Sequence, residues 1–348
     1  MLPGHAAPGT CRHGGRLRAV PQTFAATAAV ELAVIERSGF VESRHSGSAV
    51  VLAPDGEVLR EYGDANALIL PRSTLKPIQA LACLGAGAPL VGAQLALATA
   101  SHSGTDRHVA VVREILAAAH LTEDDLECPA AWPGDTATRD EMVRDHATPS
   151  RVRMNCSGKH AAMLLTCRTS GWDTAGYLDP SHPLQVQIRE LVERLTGMRV
   201  AATAVDGCGA PVYAVTLAAL AKAMHRIGTS SASSPFALHR NAGALVEAVR
   251  ENPWTIAGPG LADTIVAERL GVLSKGGAEG VQIMVAPNGT TVALKMLDGS
   301  SRAAAVVALR LLELADALPP GDVAAVVSQL PLAVTGGGRD VGAIRPAF

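Results

Sequence analysis

The 348-residue chain is poor in aromatic residues, with three Trp, three Tyr and four Phe making up 3% of it. A core of stacked rings is excluded, and packing must come from Ala, Val, Leu and Ile at close range. Charge of one sign is also missing. Thirty Lys and Arg stand against thirty-two Asp and Glu, for a formal net charge of -2. With no basic block, the electrostatic footprint that a nucleic-acid backbone demands is absent, and no nucleic-acid partner is expected. Uncharged apolar runs of membrane-spanning length are lacking too. The best candidate, Ala303 to Leu318, carries Arg310, Glu313 and Asp316 and reads as an amphipathic core helix, so no membrane partner is expected either. The six cysteines, Cys11, Cys83, Cys128, Cys156, Cys167 and Cys208, follow no framework spacing. That excludes a disulfide-stapled scaffold and fits reduced thiols in a cytoplasmic setting. No long polar linker divides the chain and no internal repeat is visible.

What is present suffices for a folded core, since 48% of residues are hydrophobic and 18% charged, which excludes disorder for most of the chain. Residues 1–28, rich in Gly, Pro and Ala, read as a flexible N-terminal extension. Arg12, Arg16 and Arg18 ahead of Ala19 to Ala29 resemble a signal peptide only faintly, because Pro21, Gln22 and Thr23 break the apolar stretch. Residues 29–340 are expected to form a single domain or two intimately packed parts, with 341–348 as a tail.

Short extended runs come first, Val30 to Ile35, Phe40 to His45, Ala49 to Leu52 and Val58 to Tyr62, the last two divided by the turn signal Asp55-Gly56. The middle is mainly helical. Apolar spacing predicts helices over Ile78 to Leu84, Asp106 to His120, Gly158 to Cys167, Pro183 to Thr196, Tyr213 to Ile227, Ala237 to Arg250 and Leu261 to Leu270. Thr122 with Asp125 and Thr138 with Glu141 resemble capping boxes. Short strands are predicted at Arg151 to Asn155 and Val200 to Val205. Strands return at Val281 to Val285 and Thr291 to Met296, before a helix over Ser301 to Leu318. Strands bracketing a helical centre point to an α+β fold, an antiparallel sheet with flanking helices and a helical region.

Five segments could carry chemistry. In Arg72-Ser73-Thr74-Leu75-Lys76-Pro77 the serine lies three residues before the lysine, on one side of a helical turn, where an amine can take a hydroxyl proton. Such a lysine needs its pKa lowered from about 10.4 by burial or a second cation. Pro77 places the segment at the start of its helix and disfavours the αR region for Lys76. The plain alternative is an N-cap serine beside a surface lysine. Ala100-Ser101-His102-Ser103-Gly104 gathers hydroxyls and an imidazole at the end of an apolar run, where functional groups collect and where a helix cap would also sit. Asn155-Cys156-Ser157-Gly158-Lys159-His160 and Asp206-Gly207-Cys208-Gly209 each place a cysteine at a turn. Two such thiols could share a metal, act as nucleophiles or stay buried and inert. Gly158-Lys159 does not complete a phosphate loop, because His160 stands where Ser or Thr is required. Ser274-Lys275-Gly276-Gly277 puts a lysine in a glycine-rich turn, either solvated or supplying that second cation.

Taken in order, these segments resemble the L-asparaginase II family, the rhizobial-type asparaginases, from about Val30 to Gly338. The motif set is Arg72-Ser73-x-x-Lys76-Pro77, Ala100-Ser101-His102-Ser103, Asn155 to His160, Asp206-Gly207-Cys208, Lys275-x-Gly277-Ala278 and Thr335-Gly336-Gly337. The resemblance implies a fold similar to the serine β-lactamases and penicillin-binding proteins, a homodimer, and hydrolysis of the side-chain amide of L-asparagine to aspartate and ammonia. By matching positions it implies Ser73 as nucleophile beside Lys76, Ser101 and Lys275 as a second Ser-Lys pair, and Cys156, Lys159 and Cys208 as ligands of a zinc ion that shapes the substrate pocket. Arg72, Asp206 and His160 are expected to bind substrate, Arg72 at its α-carboxylate and Asp206 at its α-amino group; no organic cofactor is expected. Leu261 departs from the pattern, which leads one to expect an arginine after Gly260. A β-lactamase-like hydrolase of another amide is the competing reading, but S-D-N and K-T-G elements are missing. A non-catalytic zinc-binding relative is the other, and the intact Ser73, Lys76, Ser101 and Lys275 argue against it.

Overall fold

The computed structural model describes residues 21–348; the first twenty residues of the expected N-terminal extension lie outside it. Residues 21–28 pack against the body, with Phe24 buried in the larger core and a 3-10 turn at Ala26–Ala28.

The chain opens with strands β1 (Val30–Arg37), β2 (Phe40–Leu52), β3 (Val58–Tyr62) and β4 (Leu68–Ile69). The two predicted runs at Phe40 to His45 and Ala49 to Leu52 are one 13-residue strand, since Ser46, Gly47 and Ser48 stay in register with β1 or β9 (below) despite weak strand propensity. A 3-10 turn at Arg72–Leu75 leads into α1 (Lys76–Gly85). Helices α2 (Gly92–Ala98), α3 (Asp106–Ala118), α4 (Thr136–Arg144), α5 (Ser157–Ser170) and α6 (Pro183–Thr196) follow. Residues 151–155 turn instead of forming the predicted strand; Ala131 and Ser150 make only an isolated bridge. Thr122 does cap a short 3-10 turn with Asp125, whereas the cap of α4 is Asp135, whose side chain accepts from the Thr138 N–H.

Next come β5 (Ala202–Val205), β6 (Pro211–Thr216), α7 (Leu217–Gly228), α8 (Ala237–Glu251) and α9 (Ala262–Leu270). Tyr213 to Thr216, predicted as helix, lies in β6, where pairing with β5 overrides local preference. The chain closes with β7 (Leu273–Gly277), β8 (Val281–Val285), β9 (Thr291–Met296), α10 (Ala304–Leu314), α11 (Pro320–Val327), β10 (Ala333–Gly336) and β11 (Arg339–Pro346). The expected tail at 341–348 therefore carries most of a strand, paired along β1 from Ala33 with Pro346 to Arg37 with Gly342.

The main sheet is antiparallel in the order β10-β11-β1-β2-β9-β8-β7, with β3 also on β2, and a small sheet β4-β6-β5 lies apart. Alternation along β2 sends Val50 and Leu52 into one core and Ala49 and Val51 into another on the opposite face. The larger core joins the sheet to the helical region of α1, α2, α3, α5, α6, α7 and α8; the smaller packs α10 and α11 against the other face. Opposed residues of antiparallel strands share a face, so Lys275, paired with Ile283 of the larger core, points toward the helical side. Strand β7 is the edge of the sheet, and the Arg72–Leu75 turn packs on it. Among the described residues no helix is long and apolar enough to cross a membrane.

Candidate active site

The seam between β7 and the helical region collects the predicted residues. Arg72 adopts a left-handed φ of 54°, a conformation that costs a non-glycine residue about 1–2 kcal/mol. The bend turns the chain into the 3-10 turn bearing Ser73. Gly277 permits that approach: a Cβ there would lie 2.9 Å from the Pro71 carbonyl oxygen and 3.4 Å from the Ser73 nitrogen. Lys76 follows with φ -57° and ψ -37°, in the αR region despite Pro77. The proline costs little so early in the helix, where its missing N–H has no partner to lose.

Lys76 and Lys275 are each 1% exposed. Their ammonium nitrogens meet at one oxygen: Lys76 Nζ and Lys275 Nζ each donate to Ser101 Oγ at 2.9 Å. Lys76 also donates to the Ala100 and Asn155 carbonyls, and Lys275 to the Gly276 carbonyl at 2.6 Å. The expected separate pairs, Ser73 with Lys76 and Ser101 with Lys275, are thus merged. Both lysines converge on Ser101, and Ser73 Oγ makes no hydrogen bond among the described residues although it sits on the same turn as Lys76. Burial lowers the pKa of both amines. Lys159 adds to the effect at Lys76, and Lys76 adds to it at Lys275, which falls to about 7.

Lys275 is a strand residue, not the turn residue expected, and its strand is fixed by Asp263. That carboxylate accepts from Ser274 Oγ at 2.6 Å, the Gly276 N–H at 2.7 Å and Gln282 Nε2 at 2.9 Å. No sequence signal marks Asp263 beyond its place in the first turn of α9. Ser101 is held in turn by its N–H donating to the Ile256 carbonyl at 2.9 Å and by His102, whose N–H bonds the Asn155 carbonyl at 3.1 Å. His102 Nδ1 accepts from the Gly104 N–H, so Nε2 carries the proton toward Ser157 Oγ at 3.0 Å. Burial keeps this imidazole neutral, well below its usual pKa.

Behind Lys76 lie Cys156, Lys159 and Cys208. Lys159, 3% exposed, places Nζ 3.0 Å from Cys208 Sγ, and Cys156 Sγ donates to Asn155 Oδ1 at 3.2 Å. Interaction with Cys208, helped by Lys76 and Lys159, holds Cys156 well below the usual thiol pKa, and interaction with Cys156, with burial, pushes Cys208 up. Burial works against the charge on Lys159, yet Cys208 and Cys156 together outweigh it and hold its pKa above normal. Two soft sulfurs and one amine converging in a buried pocket form a donor set that suits zinc, provided the metal replaces the lysine proton. Among the described residues no cluster of three His, Cys, Asp or Glu side chains could hold a metal. His160 is fully buried, with Nδ1 2.6 Å from the Tyr177 hydroxyl and Nε2 unpartnered.

Arg72 and Asp206, expected to bind opposite ends of a substrate, bind each other. Arg72 Nε donates to Asp206 Oδ1 at 2.7 Å, and the Gly207 N–H reaches the same oxygen. Burial disfavours the carboxylate, but the Arg72 bond prevails and lowers its pKa. Along the chain Ser73 therefore lies between Arg72 of this ion pair and Lys76 of the two-lysine cluster.

A serine, two buried amines and an ion pair around one turn are the equipment of a hydrolase of amides. A model of the L-asparaginase II family matches residues 33–346, and the chain belongs to that family. No curated protein matches it. Solved structures similar to it include Mglu in its native form (15% identity, 77% of this chain and 63% of that one, TM-score 0.42). A protein of Bacteroides dorei DSM 17855 assigned as a beta-lactamase matches at 14% identity, over 77% of this chain and 93% of that one, with TM-score 0.43. A Bacillus glutaminase matches at 13% identity, over 78% and 91%, with TM-score 0.36. The chain spans less than two thirds of the length of Mglu, and superpositions this loose carry no residue roles across.

Proposed function

We propose that the protein hydrolyses the side-chain amide of L-asparagine to L-aspartate and ammonia through an acyl-enzyme on Ser73. The observation that supports this best is the pair of buried lysines meeting at Ser101, one of them three residues from Ser73, whose hydroxyl has no hydrogen-bond partner among the described residues. Two cations in one dry site lower each other's pKa, so one amine is available as a base near neutral pH. Lys76, on the same turn as Ser73, takes its proton as Oγ adds to the amide carbon. Backbone N–H groups of the Ser73 turn and of the facing β7 edge stabilise the oxyanion. Ser101 Oγ accepts from both lysines, which occupies its lone pairs and leaves its own proton for the departing nitrogen. Water then cleaves the ester by the reverse relay. Arg72 takes the α-carboxylate and Asp206 the α-amino group, each keeping its partner oriented, while His160 supports the wall through Tyr177. Cys156, Lys159 and Cys208 would hold a zinc ion whose charge the two thiolates balance and which would fix the shape of the pocket, and the protein acts as a homodimer in the cytoplasm.

A second reading makes Ser101 the nucleophile, because both lysines bond to it. Ammonia release from L-asparagine and L-glutamine by the wild type, Ser73→Ala and Ser101→Ala tests the function. Mass mapping of the residue labelled by a diazo-ketone analogue of asparagine tests the assignment. With Ser73 as nucleophile, Ser73→Ala lowers kcat by roughly three orders of magnitude or more and the label sits on Ser73. A label on Ser101 establishes the second reading. No release from either amide by the folded, zinc-loaded protein refutes both.

A further inference from the structure

One cavity beside the lysine cluster is larger than ammonia needs. It has a volume of about 410 Å³ and is lined by Ser101, Trp132, Met154, Asn155 and Leu261, among others. Its walls come from four separated loops that backbone bonds hold together: Ser101 N–H to the Ile256 carbonyl at 2.9 Å, His102 N–H to Asn155 at 3.1 Å and Asp135 N–H to Ser103 at 2.9 Å. The space is therefore preformed. Ser101 is common to the cavity and to the two lysines, so the hydroxyl with a proton to give stands at the cavity's wall. Beside the polar Ser101, His102, Ser103 and Asn155 the lining includes apolar Trp132 and Leu261, which remain 38% and 46% exposed. Leu261 is also the residue that departs from the family pattern.

A leaving ammonia needs about the space of one water, roughly 30 Å³. The cavity exceeds that by an order of magnitude and lies within the range of small-ligand pockets. We propose that it is a leaving-group subsite, and that the enzyme accepts secondary amides of the aspartate β-carboxyl whose nitrogen carries a compact apolar substituent. This rests on the amidohydrolase reading above. The nucleophilic serine oxygen bonds to the amide carbon and its proton passes to a lysine amine. The C–N bond breaks with its electron pair going to nitrogen, which takes the Ser101 proton while Ser101 recovers one from the lysine ammonium. The free amine leaves into the cavity, and water cleaves the ester to release aspartate. Amide and water go in; acid and amine come out.

The test measures amine and aspartate release from L-asparagine and from its N-methyl, N-ethyl and N-propyl side-chain amides, with wild type, Leu261→Arg and Trp132→Ala. Intrinsic reactivity is nearly constant across the three alkyl amides, so the trend reports the subsite. In the wild type kcat/KM should rise about threefold or fourfold for each added methylene, as burial of a CH₂ requires. In either variant the propyl-to-methyl ratio should collapse toward one. A flat or falling wild-type series beside active hydrolysis of asparagine overturns the subsite and leaves the asparaginase reading standing. Absence of turnover on every amide overturns both. The wild-type series decides the matter even if a variant fails to fold.

Discussion

Replacing Lys275 by Met should stabilise the protein near neutral pH and remove part of the dependence of its stability on pH. Burial, with Lys76 as the second cause, lowers the Lys275 pKa from the ordinary 10.5 to about 7. Between those values the unfolded chain holds the proton and the native chain does not, so stability rises with pH by about 1.4 kcal/mol per unit on account of this group. The penalty is fully present below pH 7 and gone above pH 10.5. At pH 7 it amounts to about 4 kcal/mol. Met is of similar length and uncharged, and it forfeits the bonds to Ser101 and the Gly276 carbonyl, worth about 1 kcal/mol each. A net gain of about 2 kcal/mol is expected at pH 7, and the gain should turn into a loss toward pH 10. Urea denaturation followed by circular dichroism at pH 7, 8, 9 and 10 measures it, with Lys76 leaving some slope in the variant. Parallel curves for the two proteins would show that Lys275 does not titrate as a buried base. The variant should also lose catalysis, the sign of a residue kept for function at the expense of stability.

Gly277→Ala should leave the fold intact but lower kcat by tenfold or more, because its Cβ would press on the Pro71 carbonyl and move the Ser73 turn; thermal melts beside steady-state rates separate the two effects. Asp263→Ala removes the acceptor of three bonds and should destabilise by about 1.5–3 kcal/mol, with a shifted pH–rate profile; an unchanged profile would limit Asp263 to a structural part. Cys156→Ala and Cys208→Ala should each abolish stoichiometric zinc, read by inductively coupled plasma mass spectrometry, and wild-type zinc content should fall with pH because the sulfurs and Lys159 must shed protons to bind. Zinc retained in full by both variants would place the metal elsewhere.

The residues now gathered at the site were legible because each carries its chemistry in a short local pattern. Ser73 and Lys76 share a turn, and Cys156 and Lys159 a helix start. How they meet was not legible. That Lys76 abandons its neighbour for Ser101 depends on contacts across 25 and 174 residues, to which periodicity is blind. β7 was missed because Gly276 and Gly277 disfavour strands, and sheet pairing with β8 together with the Asp263 clamp overrides them. β11 was missed because it is largely exposed and polar at its start, Arg339-Asp340, so alternation is faint. The capping signal at Thr122 was read correctly, while that at Thr138 was displaced to Asp135, three residues earlier.

The pairing of β1 with β11 ties the start of the described chain to its end, and Arg345 reaches Glu36 across 309 residues. On the ribosome β1 emerges early, yet one of its sides has no partner until residues 339–346 have been made. The main sheet cannot close by gradual addition from the N-terminus, and for most of synthesis it presents a bare strand edge to other nascent chains. Deleting residues 339–346 would remove not a frayed end but a strand from the interior of the sheet, so such a product should aggregate before it has a chance to be merely slow.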